Sequence, residues 1–226
     1  MLRPSDFFDL SSFKHKGLFE GLEFVWDCFK ILPDYLKKNL KPTINSKIPH
    51  SVYLHGNYIY IGENTTVEPG TVIKSPAIIG DNVEIRSCAY IRENVIIGDN
   101  CVIGHATELK NSIMLNNSHA PHFNYLGDSV LGNNVNLGAG TILSNYKISV
   151  DKSIKIKIDD KVYDTGLIKL GAIMGDNSES GCNSVLNPGT LVGKRSLIYP
   201  LVLARGYIPP DTIVKLRQNL ETSRLK

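Results

Sequence analysis

Aliphatic residues recur along this chain at every sixth position. Stepping by six from Ile61 lands on Val67, Ile73, Ile79, Ile85, Ile91, Ile97, Ile103, Leu109 and Leu115. Four places after each aliphatic stands a second small or apolar residue: Thr65, Thr71, Ala77, Val83, Ala89, Val95, Cys101, Thr107 and Ile113. Asparagine falls three places after it at Asn64, Asn82, Asn94 and Asn100, and glycine directly after it at Gly62, Gly80, Gly98 and Gly104. Asparagine tolerates the left-handed backbone of a tight corner, and glycine suits a crowded one. A helix repeats its apolar face every three to four residues and a half-buried strand every second, so neither accounts for a period of six. A coil of three short strands and three corners does, with three hexads to a turn. The pattern predicts a mainly β chain wound as a parallel β-helix of about seven coils, spanning residues 49–207.

The period slips near Pro121, resumes at Leu131, Leu137 and Leu143, and breaks between Asn145 and Thr165. The break carries two short alternating runs around Asp159-Asp160, which predicts a charged β-hairpin over residues 146–167. The six-step returns at Ile168, Met174, Ser180, Leu186, Val192 and Ile198, with Ser180 the one poor match. Ahead of the coil, Leu18, Leu22, Val25, Phe29, Leu32 and Leu36 step by three or four, as a helix does. Residues 1–48 are therefore expected to form a helical cap over the solenoid's open N-terminal edge, and residues 208–226 a short basic helix.

Composition narrows the classes of function. The net charge of +3 over 226 residues is too mild for a nucleic-acid binder. The apolar run at 197–204 is short and interrupted by Pro200, so no membrane span is expected, and the first ten residues lack the apolar core of a signal peptide. A cytoplasmic protein is the expectation. The four cysteines, Cys28, Cys88, Cys101 and Cys182, form no pair with zinc or disulfide spacing and read as small buried residues.

Stacking selects the first candidate site. Residues eighteen apart lie one above the other, about 4.8 Å from coil to coil. Lys74, Arg92 and Lys110 are eighteen apart, so they form a ladder of cations on one face. Such a ladder reads either as an anion site, with the arginine as a bidentate fork, or as solvated surface charge. His119 and His122 sit where the period slips, and His122 has the right chemistry for a general base with Glu108 to orient it. Ile103-Gly104-His105 resembles the opening of the zinc motif of β-helix carbonic anhydrases. That motif needs a histidine five residues on, where Lys110 would oppose a metal, so none is expected.

The stretch from Ala89 to Tyr146, with HAPHFNYLGD and NNVNLGAGTILSNY, resembles the acetyltransferase half of the bifunctional bacterial glucosamine-1-phosphate acetyltransferase and N-acetylglucosamine-1-phosphate uridyltransferase. The resemblance implies a left-handed coil and a hexapeptide-repeat acyltransferase. It implies that His122 is the catalytic base and Glu108 stands near it, that Arg92 and Lys110 grip the sugar phosphate, and that Tyr125 and Asn136 contact the sugar. It places acetyl-coenzyme A against Ala139, Asn145 and Tyr146. It further implies a homotrimer with sites between subunits, acting on an amino-sugar 1-phosphate. The chain departs from the family after Tyr146, where Lys147-Ile148 and the hairpin replace the usual continuation, and the family's further sugar-binding lysine has Lys147, Lys152 and Lys155 as competitors. Two alternatives stay open: an acyltransferase for another sugar or a nucleotide-linked sugar, and a non-catalytic β-helix partnering a separate nucleotidyltransferase.

Overall fold

The computed structural model describes residues 2–225. Among these, three parallel sheets of nine, eight and eight strands form the sides of a solenoid. The chain visits them in turn: a first sheet beginning its regular coils at Ile59–Ile61, a second at Thr66–Val67 and a third at Val72–Lys74. Register is kept from coil to coil. Ile61 pairs with Ile79 and Ile79 with Ile97 on the first sheet, Val67 with Ile85 on the second, and Ile73 with Ile91 on the third. These side chains point inward and form one continuous core, each worth about 1.5–3 kcal/mol when fully buried.

The corners follow from the same repeat. Asn64, Asn82, Asn100, Asn117 and Asn134 all turn with φ between 54° and 59°. At Gly104 a Cβ would stand 1.5 Å from the Pro121 carbonyl oxygen, so the next coil leaves no room for any side chain. Beside the asparagine corner, polar side chains cap the backbone of the coil before. The Asp81 carboxylate accepts from the Glu63 N–H at 2.8 Å, Asp99 from the Asp81 N–H at 2.8 Å, and Asn116 from the Asp99 N–H at 3.0 Å.

The structure moves the slip in register. Met114, not Leu115, pairs with Ile97, and Leu131 follows Met114, so two successive coils have seventeen residues in place of eighteen. The shortening lies in the corners at Ser112 and Ser129, whose buried hydroxyls bond to the backbone carbonyls of Lys110 and Gly127 at 2.8 Å each. Leu115 turns outward, still buried, against the N-terminal segment. Ser180 keeps its inward place by bonding its hydroxyl to that of Thr141 at 2.9 Å. Ile168, expected inward, is 62% exposed, because the excursion rejoins the coil only at Ala172–Met174.

The solenoid also runs further than the six-step showed. Thr43–Ile44 pairs with Ile59–Ile61, and Ile213–Val214 closes the second sheet, giving eight to nine levels where seven were expected. After Val214 residues 215–225 form no helix. A short segment with no face to dock on lacks the packing that stabilises most protein helices. Cys28 and Cys101 are buried as expected, whereas Cys88 and Cys182 are exposed.

The N-terminal segment packs on the side of the coil, not over its edge. Helices α1 (Pro4–Phe7) and α2 (Cys28–Asn39) with two turns between them form a strap on the outward side of the first sheet. Phe7, Phe13, Leu18, Trp26, Leu32 and Leu36 are buried there against Ile78, Ile96, Ile113, Val130, Ile173 and Leu191. The reason is visible in strands such as Ala77–Ile79 and Val95–Ile97, apolar at every position, as strands covered on both faces are. The hairpin, Lys155–Ile158 paired with Lys161–Asp164, joins the same cluster. Ile154 and Ile156 are buried, and Tyr163 meets Phe24 and Trp26 edge-on.

Lys14 clamps the strap to the corner column, 2.6 Å from Asp81 and 3.0 Å from Asp99. Its hydrogen bond, with that of the Glu63 N–H, holds the Asp81 carboxyl below its ordinary value. This stabilisation is present above the carboxylate range and is lost as pH falls through the lowered Asp81 value. Lys14→Met should therefore destabilise the strap at neutral pH by no more than about 1 kcal/mol, because the pair is partly exposed. Denaturation followed by fluorescence of the single tryptophan, Trp26, should show the difference from wild type closing on acidification. A difference independent of pH would mean that the clamp is not electrostatic.

Candidate functional site

Outward positions of the third sheet carry the cation ladder. Strand Tyr90–Ile91 precedes Arg92, and Glu108–Lys110 and Tyr125–Gly127 are the next two strands. Glu108 is in register with Tyr90 on one side and Tyr125 on the other. The ladder is not bare. Arg92 Nη1 donates to Glu108 at 3.1 Å, Arg92 Nη2 lies 3.5 Å from Glu93, and Lys110 Nζ lies 3.3 Å from Asp128. Lys74 and Arg92 both lie over the Tyr90 ring, at 5.2 and 5.9 Å. Carboxylates and an aromatic face thus relieve the repulsion that stacking alone creates. Arg92 Nε is buried and has no hydrogen-bond partner among the described residues.

Asp128 organises this face. It is 4% exposed and accepts from Lys110, from Asn111 at 2.7 Å, and from the Asn145 side-chain amide. Its position depends on the shortened coil: Asn111 and Asp128 turn the tight corners with φ of 48° and 46°. The Tyr125 hydroxyl lies 3.5 Å from Asn145 Oδ1. Burial, and then the charges of Glu108 and Asp128, push the Tyr125 phenol above its ordinary value. The structure therefore brings Arg92, Glu108, Lys110, Tyr125 and Asn145 together. It adds Tyr90, Asn111 and Asp128, which sequence reasoning missed. One signal pointed to Asp128: a further step of eighteen from Lys110 lands on it.

His122 stands round the corner, at the end of the second-sheet strand His119–His122. Phe123 makes the turn with φ of 37°, and the Asn124 side chain accepts from the His122 N–H at 3.1 Å. The His122 ring is exposed and makes no hydrogen bond among the described residues. Glu108, expected to orient it, is bonded to Arg92 instead. The register partner of His122 is His105, whose Nδ1 lies 2.9 Å from the Ser87 carbonyl oxygen. One coil on, the Gly140 N–H donates to the His122 carbonyl, which places Ala139 beside His122. Asn136 is in register with His119 on the second sheet, away from Tyr125 on the third. Tyr146 follows Asn145 off the third sheet, half-exposed, with Lys152 Nζ 4.5 Å over its ring. One chain thus carries two groups on adjacent faces, His122 with Asn136 and Ala139, and Tyr125 with Arg92, Lys110 and Asn145.

Comparison with known proteins identifies the family and the fold. The sequence pattern of the GMPPB C-terminal domain matches residues 45–161 and again 76–209, overlapping spans that an internal repeat permits. The chain belongs to this family. A bifunctional protein GlmU of Methanococcus maripaludis (strain C7) is 39% identical over 204 residues, covering 90% of this chain and 49% of that protein. The chain thus spans about half the length of such relatives. YaiX of Escherichia coli K12, whose name calls it an uncharacterized acetyltransferase, is 32% identical over 84% of this chain and 82% of its own length. Among solved structures, the UDP-N-acetylglucosamine acyltransferase of Francisella novicida superposes with a TM-score of 0.52 at 18% identity, covering 75% of this chain and 67% of that one. That likeness shows the β-helix fold.

Asp128→Ala should lower the unfolding free energy by about 2–3 kcal/mol, because it strands the mostly buried Lys110 ammonium and two amides. Glu108→Ala, at a half-exposed pair, should change it by less than about 1 kcal/mol. Urea denaturation of both variants checks this, and equal effects would remove Asp128 from the centre of the face.

Proposed function

We propose that this chain is an acyl-coenzyme A-dependent transferase that acetylates the amine of an amino-sugar 1-phosphate resembling glucosamine 1-phosphate, with acetyl-coenzyme A as donor. The observation that carries the reading is the corner at Phe123. A free imidazole, His122, stands on one side of it, and the ordered cluster of Arg92, Lys110, Tyr125, Asp128 and Asn145 begins two residues later on the other. Membership of the family and the GlmU relatives support the same chemistry.

In this reading the acceptor phosphate lies on Arg92 and Lys110, with Tyr125 and Asn136 against the sugar. The amine attacks the thioester carbonyl, and His122 takes the proton that nitrogen releases as the C–N bond forms. The C–S bond then breaks, the sulfur takes that proton back from His122, and coenzyme A leaves as its thiol. Holding both substrates converts the encounter into an effectively intramolecular step. The donor runs past Ala139, beside His122, towards Asn145 and Tyr146. Because Asn136 and Tyr125 occupy different faces of one coil, a complete site takes one group from each of two neighbouring copies, and a homotrimer closes this arrangement.

Release of free thiol from acetyl-coenzyme A with a panel of amino-sugar phosphates tests the activity. His122→Ala should leave the melting curve unchanged and lower turnover by roughly 10²–10⁴-fold. Turnover near wild type in that variant would reject the base. Arg92→Ala should weaken acceptor binding by about 1.5–3 kcal/mol without moving donor affinity, while Lys74→Ala, with its ammonium on Tyr90, should do neither. Equal small losses for both would reduce the ladder to surface charge. Light scattering at micromolar concentration should give three times the mass of the chain, and an active monomer would refute the shared site.

A further inference from the structure

An imidazole that takes a proton at one nitrogen works best when a third group holds the other. His122 has no such group in hand. Glu108 is bonded to Arg92. The Asn124 side chain accepts from the His122 backbone N–H at 3.1 Å and donates to the Gly138 carbonyl at 2.8 Å. Ala139, one coil on, has no polar side chain. One coil before stands His105. Strands Val102–His105 and His119–His122 pair in parallel with His105 opposite His122. Both imidazoles therefore leave the same corner of the solenoid, on backbones about 4.8 Å apart, and both are exposed.

The partner of His105 fixes its tautomer. A carbonyl oxygen only accepts, so His105 Nδ1, 2.9 Å from the Ser87 carbonyl, carries the proton. The neutral ring then leaves Nε2 bare as an acceptor, and Nε2 makes no hydrogen bond among the described residues. Ser87 is itself held, its N–H donating to the Glu68 carboxylate at 2.7 Å and its hydroxyl lying 3.2 Å from the same Nδ1. His122 does not repeat the bond that His105 makes. The Ser87 carbonyl is shared with the Ala106 N–H at 3.2 Å, but the His105 carbonyl takes the Phe123 N–H at 2.8 Å, and Phe123 turns with φ of 37° where Ala106 has 52°. The His122 ring is thus left free to turn, as exposed side chains do within nanoseconds.

We propose that His105 is the positioning residue of His122. Its Nε2 accepts one ring N–H of His122, which leaves the other ring nitrogen bare for the proton of the attacking amine. The bond stands on the register and the fixed tautomer, and its part in turnover rests on the transferase reading above. The shared N–H stays on His122 throughout. The proton from the amine goes to the opposite nitrogen and returns to the sulfur, so His105 orients and relays nothing. Once His122 is an imidazolium, the same bond is charge-assisted and stronger.

Two substitutions divide the His105 ring between them. The amide nitrogen of asparagine matches Nδ1 and keeps the bond to Ser87, with no atom where Nε2 stood. The amide oxygen of glutamine matches Nε2 and keeps the acceptor. Thiol release from acetyl-coenzyme A with glucosamine 1-phosphate, at about pH 8 where an ordinary imidazole is neutral, compares them. His105→Asn should lower kcat by roughly 10–10²-fold, the cost of a misplaced group, with KM for both substrates within about two-fold. His105→Gln should recover most of that loss. A role confined to holding Ser87 predicts the reverse order, and the reverse order, equal losses or no loss would each overturn the proposal. Nuclear magnetic resonance of the full chain labelled with 15N-histidine gives a second readout, with His122→Ala to assign the ring. A held tautomer drives the two His122 nitrogens to the protonated and bare extremes, so their shifts should lie farther apart in wild type and His105→Gln than in His105→Asn. The same shifts in all three would overturn the bond. Wild type without turnover would sink the transferase reading alone, and the ring shifts would still decide whether His105 holds His122.

Discussion

Backbone pairing between successive coils is the interaction on which everything else in this molecule depends. Each strand is too short to persist alone, and each gains its partners only from the coils before and after it. Once that ladder is in register, side chains are no longer placed one by one. They fall into columns, and each column must be chemically tolerable along its whole length. The inward column at the six-residue step is aliphatic, and where Ser180 enters it Thr141 bonds its hydroxyl. The column beside the asparagine corner turns stacking to advantage, each carboxylate or amide capping an N–H one coil away.

The same constraint explains the candidate site. A column of like charges is unfavourable, and the third sheet resolves this by alternating its cations with Glu108, Tyr90 and Asp128. Asp128 reaches Lys110 and Asn145 because two consecutive coils are each one residue short, closed by Ser112 and Ser129. A uniform eighteen-residue coil would stack Asp128 directly on Lys110. The shortening instead puts Gly127 opposite Lys110 and leaves Asp128 on the corner, where it takes three donors. Irregularity in the repeat and the concentration of polar chemistry coincide.

The strap and the hairpin divide the surface. By covering the first sheet they bury a row of isoleucine, valine and leucine that would otherwise be an extended apolar stripe. The second sheet, which carries His122, and the third along Lys74, Arg92 and Lys110 keep their outward faces free of both. The hairpin has a further effect: docking its isoleucines on the covered side turns its lysines towards the end of the third sheet.

The period of six determined the architecture, the inward residues and the stacking of Lys74, Arg92 and Lys110, because parallel pairing converts sequence spacing into position with little freedom. The strands Ala77–Ile79 and Val95–Ile97, eighteen residues apart, are apolar at every position, which marks the sheet that the strap covers. What spacing could not give was the outcome of competition between contacts. Whether residues 1–48 cover the edge or the side depends on which apolar surface is larger once the coil exists. Whether Glu108 reaches His122 or Arg92 depends on a corner lying between two faces. The slip at Met114 and the missing helix after Val214 likewise arise from the folded coil. Each is set by non-local packing, which a periodic sequence specifies only after the chain has closed on itself.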